Sequence, residues 1–154
     1  MTGRKDTKMI RSTLTKNDLI SYEKAKPWIY PQLSYREDES RAQAHVIGLT
    51  LSWYAILKSD DELYTARISK ELLETWGVDI ETITNDSLRN AQENDPAAFL
   101  PIESLIPVPK KSVPFYVLTN ESRRCGASVV LFEDTLPNVR TRLGEPFYLT
   151  ILNS

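Results

Sequence analysis

A run of alternating residues in the first half of the chain restricts the fold more than any other feature. From Ile47 to Leu57, every second residue is apolar, and most of the residues between them are small or polar. This period of two predicts a β-strand, because successive side chains of a strand point to opposite faces. A helix would also place Val46, Leu49 and Trp53 on one face. The strand is favoured, with Trp53 facing the core.

The residues after this strand predict a hairpin and two helices. A polar turn at 58–62 precedes Leu63 to Ile68, which would return as the second arm. Ser69 is a suitable N-cap for a short helix that ends at Gly77. Asp79 would cap a second helix, with apolar residues at helical spacing. Strands followed by helices are typical of an α+β fold.

The residues before the alternating run predict a short helix and an edge strand. Thr15 would cap a helix from Lys16 to Lys24, and Pro27 would end it. Trp28 to Leu33 is compatible with a strand. Pro31 places that strand at an edge, because proline cannot donate a hydrogen bond to a neighbouring strand.

The last third of the chain predicts a hairpin, a helix and a strand. Phe115 to Leu118 and Gly126 to Phe132 would pair around a turn at Asn120 to Cys125. A helix would follow, capped by Asp134 and closed by Gly144. Phe147 to Leu152 would form the final strand.

The predicted elements make one domain with an α+β fold. We expect a mixed or antiparallel sheet of about five to six strands, with about three to four short helices, over residues 15–154. Residues 1–14 would be a basic, flexible tail. Asp95 to Pro114 holds five of the nine prolines and predicts a connector with little regular structure. It is too apolar for a free linker, so we predict a single domain.

Composition and cysteine content predict a cytoplasmic protein. The chain has 41% apolar and 26% charged residues, as soluble globular proteins do. It contains no run long enough to span a membrane and no apolar segment typical of a secretory signal. The single cysteine, Cys125, excludes an intramolecular disulfide and indicates a reducing compartment.

The charge of the chain is unevenly distributed. The net charge is −2, yet residues 1–16 contain five basic residues and one acidic residue. The acidic remainder argues against broad DNA binding, which depends on phosphate neutralisation by Lys and Arg. Nucleic acid would therefore bind only through the basic tail. A solvated leader is the favoured interpretation of that tail.

Catalytic and metal-binding patterns are sparse. One His and one Cys cannot build a Cys/His zinc site, and the acidic runs at 37–39 and 60–62 lack the calcium-loop pattern, so we predict no metal and no cofactor. Arg123 and Arg124 directly precede Cys125 and could lower the pKa of its thiol. His45, the single imidazole, could complete a dyad with Cys125. A cysteine in a turn and a histidine at the end of a strand remain the favoured interpretation.

Several aromatic and arginine residues are candidates for a binding surface. Tyr54 lies on the outer face of the alternating strand, and Tyr35 lies beside a charged stretch. Arg123 and Arg124 would occupy the tip of a hairpin. Aromatic and Arg residues are typical anchors at protein interfaces. We therefore predict that these four residues contribute to binding a partner.

Two blocks of the chain carry motifs in a recognisable order. The first, Ala66 to Ala91, reads ARISKELLETWGVDIETITNDSLRNA; the second, Phe115 to Leu149, contains Leu-Thr-Asn-x5-Gly-Ala. They resemble an uncharacterised bacterial family, a domain of unknown function common in anaerobic gut Gram-positives. Members typically continue into a Pro-Ser-Ser-x-x-His-Glu segment that this chain lacks. The resemblance implies a mixed α/β fold and no particular activity.

These observations favour a non-catalytic module that binds, and regulates or inhibits, a cytoplasmic protein. A short domain of this kind would suit a phage or a mobile element. One alternative is a thiol-dependent hydrolase or transferase that uses Cys125. Another is nucleic-acid binding through the basic tail. An open edge of the strand from Ile47 to Leu57 would also allow homodimerisation by β-augmentation.

Overall fold

The computed structural model describes residues 14–59, 62–107, 115–144 and 147–150. Within these ranges it contains a four-stranded antiparallel sheet, a two-stranded antiparallel sheet and several short helices. This arrangement confirms the predicted α+β class. No helix in the described ranges has the length and apolar character needed to cross a membrane.

The strands and helices follow each other in a mixed order along the chain. The strands are β1 (Ile29–Ser34), β2 (Gln43–Val46), β3 (Leu49–Ser59), β4 (Glu62–Arg67), β5 (Ala97–Pro101) and β6 (Tyr116–Asn120). The α-helices are α1 (Tyr22–Ala25), α2 (Lys70–Trp76), α3 (Ile80–Asn94) and α4 (Thr135–Leu143). Segments of 3-10 helix occupy Lys16–Ile20, Lys26–Trp28, Ile102–Ser104 and Gly126–Leu131.

Strand β3 is the centre of the larger sheet. β1 pairs along one edge of β3, whereas β2 and β4 share the other edge end to end. Arg41 forms a bridge with Ser69 where these two strands meet. The predicted open edge on this strand is therefore wrong, because both edges of β3 are occupied. β1 is an edge strand, as Pro31 predicted.

A two-residue turn separates β2 from β3. Ile47 and Gly48 have positive φ angles of 48° and 77°, and Val46 pairs with Leu49 across the turn. Positive φ at both central residues is the geometry that matches strand twist in tight hairpins. The predicted strand start at Ile47 is wrong for this reason. The prediction also missed β2, because a β-branched residue is uncommon at positive φ.

The core fills the space between the larger sheet and the helices. Trp53 is fully buried, and its indole N–H donates a hydrogen bond to Ser87 Oγ of α3 at 3.0 Å. Ser52 and Tyr54 point to the opposite face of β3, yet only 4% and 6% of their surfaces are exposed. The prediction that Tyr54 lies on an exposed face is therefore wrong. Both faces of this strand are covered.

The N-terminal part differs in detail from the prediction. Thr15 and Asp18 form a reciprocal capping box, but the helix after Thr15 is a 3-10 segment followed by the short α1. Pro27 lies inside the next 3-10 turn and does not end a helix before it. Leu14, predicted to belong to the tail, is buried, and its carbonyl accepts a hydrogen bond from Lys58 N at 3.1 Å. Residues 1–13 of the predicted tail lie outside the described residues.

The predicted caps of α2 and α3 are confirmed. Ser69 Oγ accepts a hydrogen bond from Leu72 N, and Asp79 accepts one from Thr82 N at 2.8 Å. Gly77 ends α2 in the left-handed conformation, with φ of 66°. These side chains satisfy backbone groups that a helix end leaves without partners.

The second half contains the largest departures. The expected connector after Asp95 includes β5, which pairs with β6. Gly126 to Phe132 was predicted as the partner strand of β6, but its first six residues form a 3-10 helix. A short apolar run fits a buried strand and a buried helix equally well. Phe147 to Thr150 is not a strand, and residues 151–152 of that prediction lie outside the described residues.

The Leu-Thr-Asn-x5-Gly-Ala motif forms a closed loop at 120–126. Asn120 Nδ2 donates a hydrogen bond to Arg124 O at 2.7 Å, while Arg123 and Cys125 adopt positive φ angles of 62° and 52°. Gly126 packs directly on Thr119. A Cβ at position 126 would collide with Thr119 Oγ1 and lie 3.0 Å from Thr119 Cβ. At this motif, the backbone of Gly126 therefore packs closely against Thr119, and the predicted hairpin does not form.

Candidate functional site

A cleft of about 380 Å³ lies between the larger sheet, the end of α3 and the 120–126 loop. We call it the polar cleft. Its lining consists of Tyr30, Tyr54, Ile56, Asn94, Asp95, Glu121, Ser122 and Arg124.

Paired tyrosines and a fixed loop shape the polar cleft. Tyr30 and Tyr54 are opposite each other on β1 and β3, and their rings stack with centroids 6.1 Å apart. Asp95 accepts hydrogen bonds from Ser122 N at 2.8 Å and from Ser122 Oγ, which tie the loop to the end of α3. Burial raises the pKa of both tyrosines. Their hydroxyls are thus neutral donors at physiological pH.

Cys125 follows Arg124 in the 120–126 loop and interacts with Tyr54, but it does not line the polar cleft. Burial raises the pKa of the Cys125 thiol, whereas Tyr54, Arg124 and Arg41 act in the opposite direction. Burial outweighs the arginines, so the predicted lowering of this pKa is wrong. The thiol is protonated at neutral pH, which makes it a poor nucleophile.

We expect Cys125 to react slowly with iodoacetamide. At pH 7 the folded chain should be alkylated more slowly than the urea-unfolded chain, because the thiolate is the reactive form and a raised pKa leaves less of it. The rates are measured by mass spectrometry of intact protein. Equal or faster labelling of the folded chain would contradict the raised pKa.

The structure does not bring His45 to Cys125. His45 is exposed on β2, and its Nε2 lies 3.1 Å from Glu37 Oε1. It is opposite Thr50, whereas Cys125 contacts Tyr54. Thr50 and Tyr54 are about 13 Å apart along β3, at about 3.3 Å per residue. The candidate dyad is not assembled in this structure.

Two of the four predicted binding residues meet in the polar cleft. Tyr54 and Arg124 are distant in sequence, and the fold places both in its lining. Arg123 is exposed on the same loop but does not line the cleft. Tyr35 follows β1, is 55% exposed and lies outside the cleft.

A second cleft, of about 590 Å³, lies between α4, the end of α3 and the smaller sheet. We call it the aromatic cleft. Its lining consists of Gln92, Ala97, Phe99, Leu118, Phe132, Glu133, Asp134, Thr135, Asn138, Val139 and Arg142.

Phe99 carries the main side-chain contacts at the aromatic cleft. Its ring stacks on Tyr116 with centroids 4.9 Å apart and planes within 10°. The guanidinium carbon of Arg142 lies 4.9 Å from the centre of the same ring, a cation–π contact. Tyr116 is 42% exposed and the neighbouring Phe115 57% exposed. The sequence offered no signal for this cluster.

Charges of both signs border the aromatic cleft. Glu133 and Asp134 lie in the same lining as Arg142, and the Asp134 side chain makes no capping hydrogen bond to α4. Among the described residues, none of the ion pairs involves Arg142. The edges of its guanidinium therefore keep N–H donors for a group outside the chain.

A family model described as a family of unknown function (DUF5688) matches residues 5–154. The chain belongs to this family. No curated protein and no solved structure matches it significantly. In this DUF5688 chain, the Thr119 to Gly126 motif positions Arg124 at the polar cleft.

In the described part of this DUF5688 chain, no group of three or more His, Cys, Asp or Glu side chains lies close enough to hold an ion. The acidic run at 37–39 lies within that part, whereas Asp60 and Asp61 lie outside it. The two clefts present hydrogen-bonding groups, charges of both signs and aromatic rings.

Proposed function

We propose that this chain is a non-catalytic module that binds a partner protein and regulates it. The observation that carries the proposal is the Tyr116–Phe99–Arg142 cluster at the rim of the aromatic cleft. Aromatic and Arg side chains are the residues most often found as energetic anchors of interfaces.

The cluster is arranged to receive an acidic side chain. A guanidinium that lies on an aromatic ring keeps its planar edge for a carboxylate, and the ring supports its charge. Ion pairing there would be strengthened by the apolar floor, which Leu118, Phe132 and Val139 supply. Exposed Phe115 and Tyr116 extend the apolar surface beyond the cleft.

The charges of the aromatic cleft define the partner segment. An apolar side chain would fill the floor, and an acidic neighbour would pair with Arg142. A basic residue at the other end would face Glu133 and Asp134. The partner is therefore an amphipathic protein segment with acidic and basic residues on either side of an apolar one.

The geometry around Cys125 supports binding better than catalysis. Burial keeps the Cys125 thiol protonated. His45 pairs with Glu37 and does not lie beside that thiol. A nucleophilic thiol requires a nearby base or a lowered pKa.

We expect Arg142→Glu to abolish partner binding. Charge reversal removes the carboxylate contact and adds repulsion, so the affinity should fall at least about thirtyfold, as for an anchor worth about 2 kcal/mol. Tagged full-length chains would be used in affinity purification with mass spectrometry, and the dissociation constant of the stoichiometric partner would then be measured. Phe99→Ala should weaken the same partner.

The matched control is Arg36→Glu, which reverses the charge of an exposed arginine outside both clefts. It should retain the partner. An Arg123→Glu, Arg124→Glu variant reports whether the 120–126 loop also contacts it. A partner that survives Arg142→Glu and Phe99→Ala as well as it survives Arg36→Glu would refute the aromatic cleft as the binding surface.

A further inference from the structure

Three arginines gather around Tyr54 on one face of the larger sheet. Arg67 is opposite Tyr54 in the pairing of β4 with β3. Arg41 is opposite Ser69, two residues beyond Arg67, so both arginines emerge on the same face. Arg124 reaches this region from the 120–126 loop and lines the polar cleft with Tyr54. The three arginines are far apart in the sequence, so the sequence alone did not indicate that they lie together.

The side chain of Arg41 crosses the central strand. Its backbone lies on the side of β3 that holds β2 and β4, yet its Nη2 donates to Gln32 Oε1 of β1 at 3.0 Å. The Nε–H of Arg41 is buried without a hydrogen-bond partner among the described residues. Buried polar groups nearly always have partners, so an orphaned cationic donor indicates an acceptor that binds there.

Asp38 balances part of the charge of Arg41 and Arg67, and Glu121 lines the polar cleft with Arg124. Asp38 Oδ1 accepts from Ser40 N at 3.0 Å and from Ser40 Oγ at 2.6 Å, and Asp95 accepts from Ser122. None of the ion pairs of the described residues involves the three arginines. Burial and the neighbouring Arg67 lower the pKa of Arg41, whereas Asp38 and Cys125 act in the opposite direction.

We propose that Arg41, Arg67 and Arg124 form a binding site for a phosphoryl group. The planar guanidinium groups of arginine match the oxygens of a phosphate. Three guanidinium charges suit a doubly charged phosphoryl group better than they suit a singly charged carboxylate. The orphaned Arg41 Nε–H supplies a further donor. This site is separate from the aromatic cleft, and it does not depend on the proposed protein partner.

The adjoining polar cleft would hold the rest of a phosphorylated small molecule. The stacked Tyr30 and Tyr54 rings offer a flat surface next to Arg124. Inorganic phosphate, glycerol phosphate and phenyl phosphate are suitable probes. Equal affinity for the three probes would show that the chain recognises the phosphoryl group alone. Tighter binding of phenyl phosphate would show that the ligand ring also contacts the tyrosines.

The test is a titration of the full chain with each probe, followed by calorimetry and by amide chemical shifts. We expect saturable binding that Arg124→Gln weakens about tenfold, the effect of losing one charge-assisted contact. Arg123→Gln is the matched control, because it removes the same charge from the next residue, which does not line the cleft. It should change the affinity less than about twofold.

A second variant protects the test against misfolding. Arg41→Lys keeps the charge but removes the planar fork and its Nε–H, and we expect it also to weaken binding about tenfold. Circular dichroism verifies that each variant is folded. Absence of saturable binding of all three probes to the wild-type chain would overturn the proposal. Equal losses in Arg124→Gln and Arg123→Gln would also overturn it, since they would reveal a general charge effect.

Discussion

Trp53→Ala is expected to lower the free energy of unfolding by about 3–5 kcal/mol. Trp53 is fully buried, so the substitution loses its apolar burial and leaves a cavity between β3 and α3. It also removes the donor to Ser87 Oγ. Ser87 keeps its own hydrogen bond to Thr84 O, at 3.1 Å, but loses one partner in the core. A domain of this size has about 5–15 kcal/mol of stability, so the loss is severe.

Urea unfolding followed by far-UV circular dichroism measures this loss, because the chain contains other tryptophans that complicate fluorescence. Trp53→Phe retains most of the volume and isolates the hydrogen bond, with an expected cost of about 1–3 kcal/mol. Leu63→Ala on β4, where Leu63 is 61% exposed, is the control and should change stability by less than about 0.5 kcal/mol. Similar losses for Trp53→Ala and Leu63→Ala would contradict the described core.

Gly126→Ala is expected to destabilise the fold by about 1–3 kcal/mol, as overpacking does. A Cβ there would meet Thr119 Oγ1 and Cβ, and would lie 3.2 Å from Asn120 N. The hydroxyl could rotate away, but the backbone of β6 is held by its pairing with β5. The cost is therefore steric, unlike that of Gly48→Ala, where open space surrounds the Cβ and the positive φ is the obstacle.

A double-mutant cycle separates the two causes. Thr119→Ala removes Oγ1, so it should recover part of the stability lost in Gly126→Ala, with a coupling of at least about 0.5 kcal/mol. It should recover none of the stability lost in Gly48→Ala. If Gly126→Ala and Thr119→Ala were additive in urea unfolding, the two residues would not be in contact.

Local signals in the sequence were sufficient where a single side chain decides the structure. Ser69, Gly77 and Asp79 act on helix ends within a few residues, so their roles follow from residue type alone. The strand prediction for Gly126 to Phe132 was wrong because a short, mostly apolar run of seven residues does not distinguish a strand from a helix. The true partner of β6 precedes it in a proline-rich stretch. That pairing depends on tertiary contacts that no local pattern reports.

The composition of the candidate sites also depends on tertiary contacts that the sequence did not predict. Tyr54 and Arg124 could be named from their residue types, but their common cleft depends on strand register and loop closure. Arg41 lies in the same charged stretch as Arg36, and only the bridge to Ser69 turns its side chain across the sheet. Arg142 and Phe99 come from elements that the sequence did not place together.

The shared edge of β3 also bears on the order in which the chain folds. β2 and β4 are its direct neighbours in the chain, with two residues between the strands at each end. Their pairing closes very short loops, which costs little chain entropy and favours rapid formation. β1 comes from further away along the chain and pairs with the opposite edge. We therefore expect β2, β3 and β4 to pair first, and β1 and α3 to complete the core by docking on them.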